Sequence, residues 1–277
     1  MTPFSTQALE LAPWSVTKAK LVRSCPLAWK YKYRDHLPED MPGLVTRVGR
    51  GAHSILERTT RGEALDAAID AAKAEHGFSA EEMAGIARFL EGIRAFGATL
   101  ARFRATTPIR RELCEEKVGL TAALEPAPFF GNNVFFRGAW DLGFLLEDLS
   151  AAVIDHKTGR KGDIKWHSAQ LRAYALMALC HYPELKKVWL GIHFIGDAEL
   201  VWAKPSSADV IRGQVRSWFV GWINDAAERA SFPDPQPVVS RFCDFCSYRP
   251  ICPAHNSIEA ATERLVQLSA KRRRGAG

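Results

Sequence analysis

The chain has 277 residues, with 37 Lys and Arg against 31 Asp and Glu and a formal charge of +6. Hydrophobic residues make up 47% and charged residues 25%, which excludes collagen-like and wholly disordered classes. No apolar run reaches the ~18 residues of a membrane-spanning helix, and the N-terminal MTPFSTQALELAPWSV lacks the basic start and apolar stretch of a secretory signal. A cytoplasmic protein with no membrane partner is expected.

Ser15 is placed to cap a short helix that runs to about Arg23 and stops at Cys25-Pro26. A second helix is expected from Arg50 to Thr60. The Ala-rich stretch from Glu63 to Arg104 keeps helical periodicity, and Ser79 with Glu82 matches a capping box, so residues 60–110 read as a helical insertion or lid. The period then changes. Strands are expected over 112–124 and 133–147, joined by the turn-forming PAPFFGNN. AAVID (151–155) is a short apolar strand, and HSAQLRAYALMALCHY (167–182) an amphipathic helix. Two further strands, KVWLGIHFI (187–195) and ELVWA (199–203), flank a Gly196-Asp197 turn. A long helix from about Ser207 to Arg229 precedes the Pro-rich SFPDPQPVV and a cysteine cluster. This order implies an α/β core with a central mixed sheet flanked by helices. No stretch reads as a linker, and one domain over 1–277 is expected.

Three segments carry chemistry when taken together. Asp141 follows Gly138-Ala139-Trp140 in a strand, Asp155-His156-Lys157 closes AAVID, and Gln170 and Tyr174 share one face of the next helix. Two carboxylates on adjacent strands can converge on one hard divalent cation such as Mg²⁺, which favours oxygen ligands. Lys157 lies on the same side of its strand as Asp155, where it can orient an attacking water or stabilise charge developing on a phosphate. Such a set suits metal-assisted hydrolysis of a phosphodiester. The side chain of His156 is turned to the other face and is not expected to ligate.

The cysteines are unevenly spread. Cys243, Cys246 and Cys252 form C-x2-C-x5-C, while Cys114 and Cys180 stand alone in apolar surroundings and read as inert buried thiols. In a reducing compartment the triple points to zinc or an iron–sulfur cluster rather than disulfides, and both want a fourth ligand. His255 and the distant Cys25 are the two candidates.

GAWD, VIDHKTG and QLRAYA, with Gly49-Arg50-Gly51-Ala52-His53 upstream, resemble the motifs of the PD-(D/E)XK nuclease superfamily. Within it they are most similar to the RecB-like branch, which includes RecBCD- and AddAB-type nuclease domains and the CRISPR-associated iron–sulfur exonuclease. The resemblance runs from about Trp14 to Cys252. It implies a restriction-endonuclease-like fold, with His53, Asp141 and Asp155 as Mg²⁺ or Mn²⁺ ligands and the His156 carbonyl as a further one. It also implies Lys157 as the catalytic lysine, with Gln170 and Tyr174 positioning it or the phosphate. One cysteine before the core and three after it is the layout of the iron–sulfur members, so the implied cofactor is a 4Fe-4S cluster on Cys25, Cys243, Cys246 and Cys252. Zinc is the alternative.

The activity so implied is a metal-dependent exonuclease on single-stranded or open-ended DNA, in recombination, repair or CRISPR adaptation. The alternatives are a non-catalytic DNA-binding or scaffold module, an RNA-directed nuclease or a structural zinc protein. Lys30, Lys32 and Arg34, interleaved with Trp29, Tyr31 and Tyr33, are candidate DNA contacts, as are Arg160, Lys161 and Lys165. The basic run Lys271-Arg272-Arg273-Arg274 is a further, weaker one. No G-x-x-x-x-G-K-[ST] phosphate loop occurs, so either a helicase, recombination or CRISPR adaptation partner supplies unwinding or the substrate is already single-stranded or has open ends.

Overall fold

A computed structural model describes residues 2–39, 43–257, 259–264 and 266. The run Lys271–Arg274 lies outside the described residues. The chain divides into two compact units, one around Gly43–Phe219 and one built from Pro3–Pro42 with Val220–Gly277.

In chain order the first helices are α1 (Thr6–Glu10), α2 (Val16–Ser24) and α3 (Pro26–Trp29). Ser15 caps α2 by accepting from the Lys18 N–H, and α2 stops at Cys25, before the proline that opens α3. Four helices follow: α4 (Leu44–Thr60), α5 (Leu65–His76), α6 (Ala80–Ala87) and α7 (Leu90–Thr106). The Ser79–Glu82 capping box opens α6 as expected. Helix α4 starts six residues before its expected Arg50, because its N-cap is Gly43, which offers no side-chain signal.

The sheet comprises β1 (Ile109–Leu120), β2 (Pro126–Ala127), β3 (Phe136–Leu146), β4 (Ser150–Lys157), β5 (Lys187–Phe194), β6 (Glu199–Trp202) and β7 (Ser206–Ser207). Its order is β2-β1-β3-β4-β5-β6, with β7 also on β5. Only β4 and β5 pair in parallel. A parallel pair needs a crossover, and helix α8 (Ser168–His181) supplies it. The run from α9 (Ala208–Val210) through a π turn at Ile211–Val215 into α10 (Arg216–Ser231) is the long helix expected from Ser207. This is the α/β fold expected: a mixed sheet with helices on both faces.

Helices α4 to α7 cover one face. Ile55, Leu56, Ile93 and Phe96 pack there on Leu142, Phe144, Ala152 and Ile154, all buried. The region 60–110 is therefore helical as expected, and its last helix contributes to this core. Gly92 of α7 makes the closest approach: a Cβ there would lie 1.7 Å from the Ile195 carbonyl oxygen. Because the obstacle is backbone, Gly92→Ala is expected to cost about 2–3 kcal/mol, read as a lower urea midpoint at unchanged slope. An unchanged midpoint would contradict this packing.

The second unit joins segments distant in sequence. Arg34 donates to the Phe232 carbonyl at 3.1 Å, and Ser5 N–H to Asn224 Oδ1 at 2.9 Å. Leu27, Tyr31, Leu37, Tyr248 and Ile251 form one hydrophobic cluster within it, with the Tyr248 hydroxyl donating to the Leu37 carbonyl at 3.1 Å. This alters the reading of residues 29–34. Trp29 and Tyr31 are only 1% and 8% exposed, so neither offers a stacking face. Lys30 pairs with Asp35 at 2.6 Å and Lys32 with Glu39 at 2.7 Å.

Candidate active site

β3 and β4 are antiparallel with Leu142 opposite Ile154, which sets Asp141 beside Asp155 at the next position. Ile154 belongs to the core under α4, so alternation turns Asp155 to the other face, toward α8. There the Asp155 Oδ1 accepts from Gln170 Nε2 at 2.6 Å and from the Tyr174 hydroxyl at 3.4 Å. Gln170 Nε2 also donates to the Tyr174 oxygen at 2.9 Å, which locks the two helix residues together. Burial, followed by the Asp155 charge, pushes the Tyr174 hydroxyl well up, so it remains a donor. The other carboxylate oxygen, Oδ2, is buried and accepts no hydrogen bond, while the Lys157 ammonium faces it at 2.5 Å.

Asp141 approaches the same point from the α4 side. Its Oδ2 accepts the His156 backbone N–H at 2.6 Å and lies 4.0 Å from His53 Nδ1. His53 is carried on α4, where Gly51 leaves room for Ile86 and Phe78; a Cβ at Gly51 would lie 2.3 Å from Ile86 Cδ1. The glycine of the sequence motif thus lets α4 seat closely, and the histidine two residues on reaches the strands. Burial and the Lys157 charge lower the His53 pKa, favouring the neutral imidazole that metals bind.

One carboxylate was not anticipated from sequence. Glu115 of β1 falls opposite Asp141, between the pairs Cys114–Leu142 and Glu116–Trp140, and its φ is +53°. Ligand atoms of His53, Glu115 and Asp141 all lie within 4.8 Å of one another. Its only signal in sequence is a Glu pair inside an otherwise strand-like run. Burial, then the Asp155 charge, raises Asp141 to about 8. Burial, then Glu57, raises Glu115 to about 7.

These shifts fix the sign of a pH dependence. A carboxyl whose folded pKa exceeds its unfolded value stabilises the fold at low pH and loses that contribution as pH rises through the folded value. Without metal, stability is therefore expected to fall between about pH 4 and pH 8 through Asp141 and Glu115. Added Mg²⁺ should raise the melting temperature more at pH 8 than at pH 5, because protons compete for the same oxygens. Melts in EDTA and in Mg²⁺ at both pH values test this; a metal-free melting temperature that climbs across the window would refute it.

The His156 ring is turned away, as alternation requires. Its Nδ1 lies 3.0 Å from Nδ1 of His193, the residue opposite it on β5, and Phe96 stacks on His193 at 4.3 Å. A cleft of about 670 Å³ opens beside His53, Glu115 and Asp141, lined also by Arg50, Arg58 and Arg61. Arg58 and Arg61 are engaged by Glu75 and Glu57, whereas Arg50 forms no ion pair among the described residues. Beyond β4, Lys161 pairs with Glu199 at 2.7 Å and Lys165 lies 3.9 Å from Asp163.

In the second unit Cys25, Cys243, Cys246 and Cys252 line one small apolar pocket, together with His255, and all four thiols are free. Burial raises the Cys246 thiol, and the nearby Cys25, Cys252 and Cys243 raise it further. Cys114 and Cys180 sit elsewhere, each pushed by burial to about 11, where a thiol is unreactive at neutral pH.

Carboxylates of neighbouring strands gathered with a histidine, beside a lysine, are a donor set suited to a hard divalent cation, the equipment of a metal-dependent nuclease. The chain belongs to the PD-(D/E)XK nuclease superfamily, whose family model matches residues 13–253. Among solved structures it is similar to the crystal structure of SSO0001, at 16% identity and a TM-score of 0.32 over 83% of this chain and 96% of that one. A likeness that slight adds nothing to the family match. A search of curated proteins gave no match.

Proposed function

We propose that the protein is a RecB-like exonuclease that hydrolyses phosphodiester bonds in single-stranded or open-ended DNA, using Mg²⁺ or Mn²⁺. The observation that carries this reading is the Asp141–Asp155–Lys157 constellation, with the buried Asp155 Oδ2 met by the Lys157 ammonium alone among the described residues. Crowded carboxylates, Asp141 raised by burial and then the Asp155 charge and Glu115 by burial and then the Glu57 charge, are a donor set that suits a hard cation. His53, Asp141 and Asp155 are assigned to hold the ion; the ligand atoms that lie within 4.8 Å of one another are those of His53, Asp141 and Glu115, so Glu115 is a further ligand and Asp155 would reach the ion from the neighbouring strand. When bound, the ion polarises a phosphoryl oxygen.

The chain's own groups do the rest. Gln170 and Tyr174 fix the Asp155 rotamer through Oδ1, which turns Oδ2 toward the Lys157 ammonium and the side from which a cation would be bound. The Lys157 ammonium, two residues on, is placed to orient the attacking water and to stabilise negative charge growing on the phosphate. The His156 backbone N–H holds Asp141 toward the same point, and its carbonyl is assigned as a further ligand.

Cys25, Cys243, Cys246 and Cys252 are assigned to a 4Fe-4S cluster. Four free thiols lining one small apolar pocket suit a cationic centre that takes thiolates. Zinc, with or without His255, is the competing occupant. The whole chain is read as one nuclease domain stapled by this cluster, working in a reducing cytoplasm. A helicase, recombination or CRISPR adaptation partner would supply unwound ends.

Degradation of end-labelled linear single-stranded DNA by anaerobically purified protein tests the activity, with a circular single strand alongside. Cleavage of the linear strand alone, dependent on Mg²⁺ or Mn²⁺, is expected. Equal cleavage of the circle would make the enzyme an endonuclease, and no cleavage of either by cluster-loaded protein would favour a DNA-binding scaffold.

A further inference from the structure

The β1–β3 hairpin extends past the carboxylates and changes character within a few residues. Lys117 stands two residues beyond Glu115 on β1, and Arg137 four residues before Asp141 on β3. At ~3.4 Å per residue these are about 7 and 13 Å of strand. Gly138 is turned toward α8, where a Cβ would meet Met177 and Tyr174 at 3.5 Å. Its neighbour Arg137, and Lys117 opposite Ala139, therefore project from the other face, the one on which α4 brings His53. Lys117 is close enough for its charge to act on Glu115.

The turn between the strands folds two aromatics onto these cations. Phe129 and Phe130 pack edge to face at 4.8 Å, with Arg137 at 5.1 Å from the Phe129 ring and Lys117 at 5.7 Å from that of Phe130. Phe130 is 75% exposed, a large apolar ring left facing solvent. Neither cation forms an ion pair among the described residues, in contrast to Lys30, Lys32, Lys161, Arg58 and Arg61. Unpaired cations beside an open aromatic face, leading into a cluster of phosphate-directed groups, match an anionic polymer with unstacked bases. A duplex hides its base faces and would leave Phe130 unused.

We propose that the hairpin face formed by Lys117, Arg137, Phe129 and Phe130 seats the single-stranded segment next to the scissile phosphate, with Phe130 stacking on a base. The inference rests on the nuclease reading for the position of the scissile bond, but the binding itself is separable from cleavage. The test is fluorescence anisotropy with a labelled oligothymidylate of about twelve nucleotides, in EDTA so that no bond is hydrolysed, alongside a labelled duplex. Phe130→Ala is expected to raise the Kd for the single strand roughly five- to tenfold, with little change for the duplex. Lys117→Ala with Arg137→Ala should lower the slope of log K against log salt by about 1.4, at ~0.7 for each phosphate no longer neutralised. All these side chains are at the surface, and circular dichroism melts matching the parent exclude misfolding. Unchanged single-strand Kd and salt slope in both variants would overturn the inference even where the parent cleaves DNA. Selective loss of single-strand binding would uphold it even where the parent cleaves nothing. A drop confined to the duplex would assign the face to double-stranded DNA and overturn the stacking role.

Discussion

Replacing Lys157 by methionine is expected to slow single-turnover cleavage by roughly 10²–10⁴-fold while leaving single-strand affinity within about twofold. The ammonium lies 2.5 Å from Asp155 Oδ2, and it is only half-buried, so it can meet both Asp155 and an incoming phosphate. Methionine keeps the length of the stem and removes the charge. Lys157→Arg should not restore the rate, because a planar fork cannot take the place of a compact point charge held against one carboxylate oxygen. A companion Asp155→Asn variant separates charge stabilisation from cation binding: it should demand more Mg²⁺, whereas Lys157→Met should be slow at any Mg²⁺ concentration. A Lys157→Met enzyme that cleaves at the parent rate would remove the lysine from the mechanism.

The second large effect is expected in the other unit. Cys246→Ala should abolish bound iron and lower the stability of that unit by on the order of 5–10 kcal/mol, a large part of the ~10–16 kcal/mol apparent binding energy of metal-folded domains. At about 4–8 °C per kcal/mol for a unit of this size, the melting temperature of its transition should fall by at least ~20 °C. The reason is where the thiols sit: Cys25, Cys246 and Cys252 pack against the cluster of Leu27, Tyr31, Leu37, Tyr248 and Ile251, which joins segments more than two hundred positions apart. Metal analysis of the parent and of Cys25→Ala and Cys243→Ala variants distinguishes iron from zinc. Parent-like metal content and melting in all three variants would reject the assigned ligand set.

Much of the site was legible because its residues lie close in sequence. Asp155, Lys157, Gln170 and Tyr174 fall within one strand–helix unit, and alternation with helical periodicity fixes which of their side chains can meet. The turn of His156 toward His193 followed from the same alternation. Glu115 was hidden, since its place opposite Asp141 depends on the register of β1 against β3 and on a left-handed backbone at that residue. The cations of residues 30–34 were misjudged for a related reason. Asp35 and Glu39 neutralise Lys30 and Lys32, and Tyr31 is buried by Tyr248, more than two hundred positions away. The helices of 60–110 showed their caps but not that Phe96 would stack on a histidine of β5. In each case the missing information was long-range pairing, which local propensity does not encode.

The division of the chain also has a temporal side. Every residue of the sheet, with its carboxylates and Lys157, precedes Phe219, whereas Cys25 has its three thiol partners only once Cys252 has been made. At ~5–20 residues per second, translation reaches Cys252 roughly 2–7 s after Phe219. On the ribosome, the strands that carry the carboxylates and Lys157 are thus finished first, the four thiols come together last, and a cluster of the kind proposed would be delivered only after both.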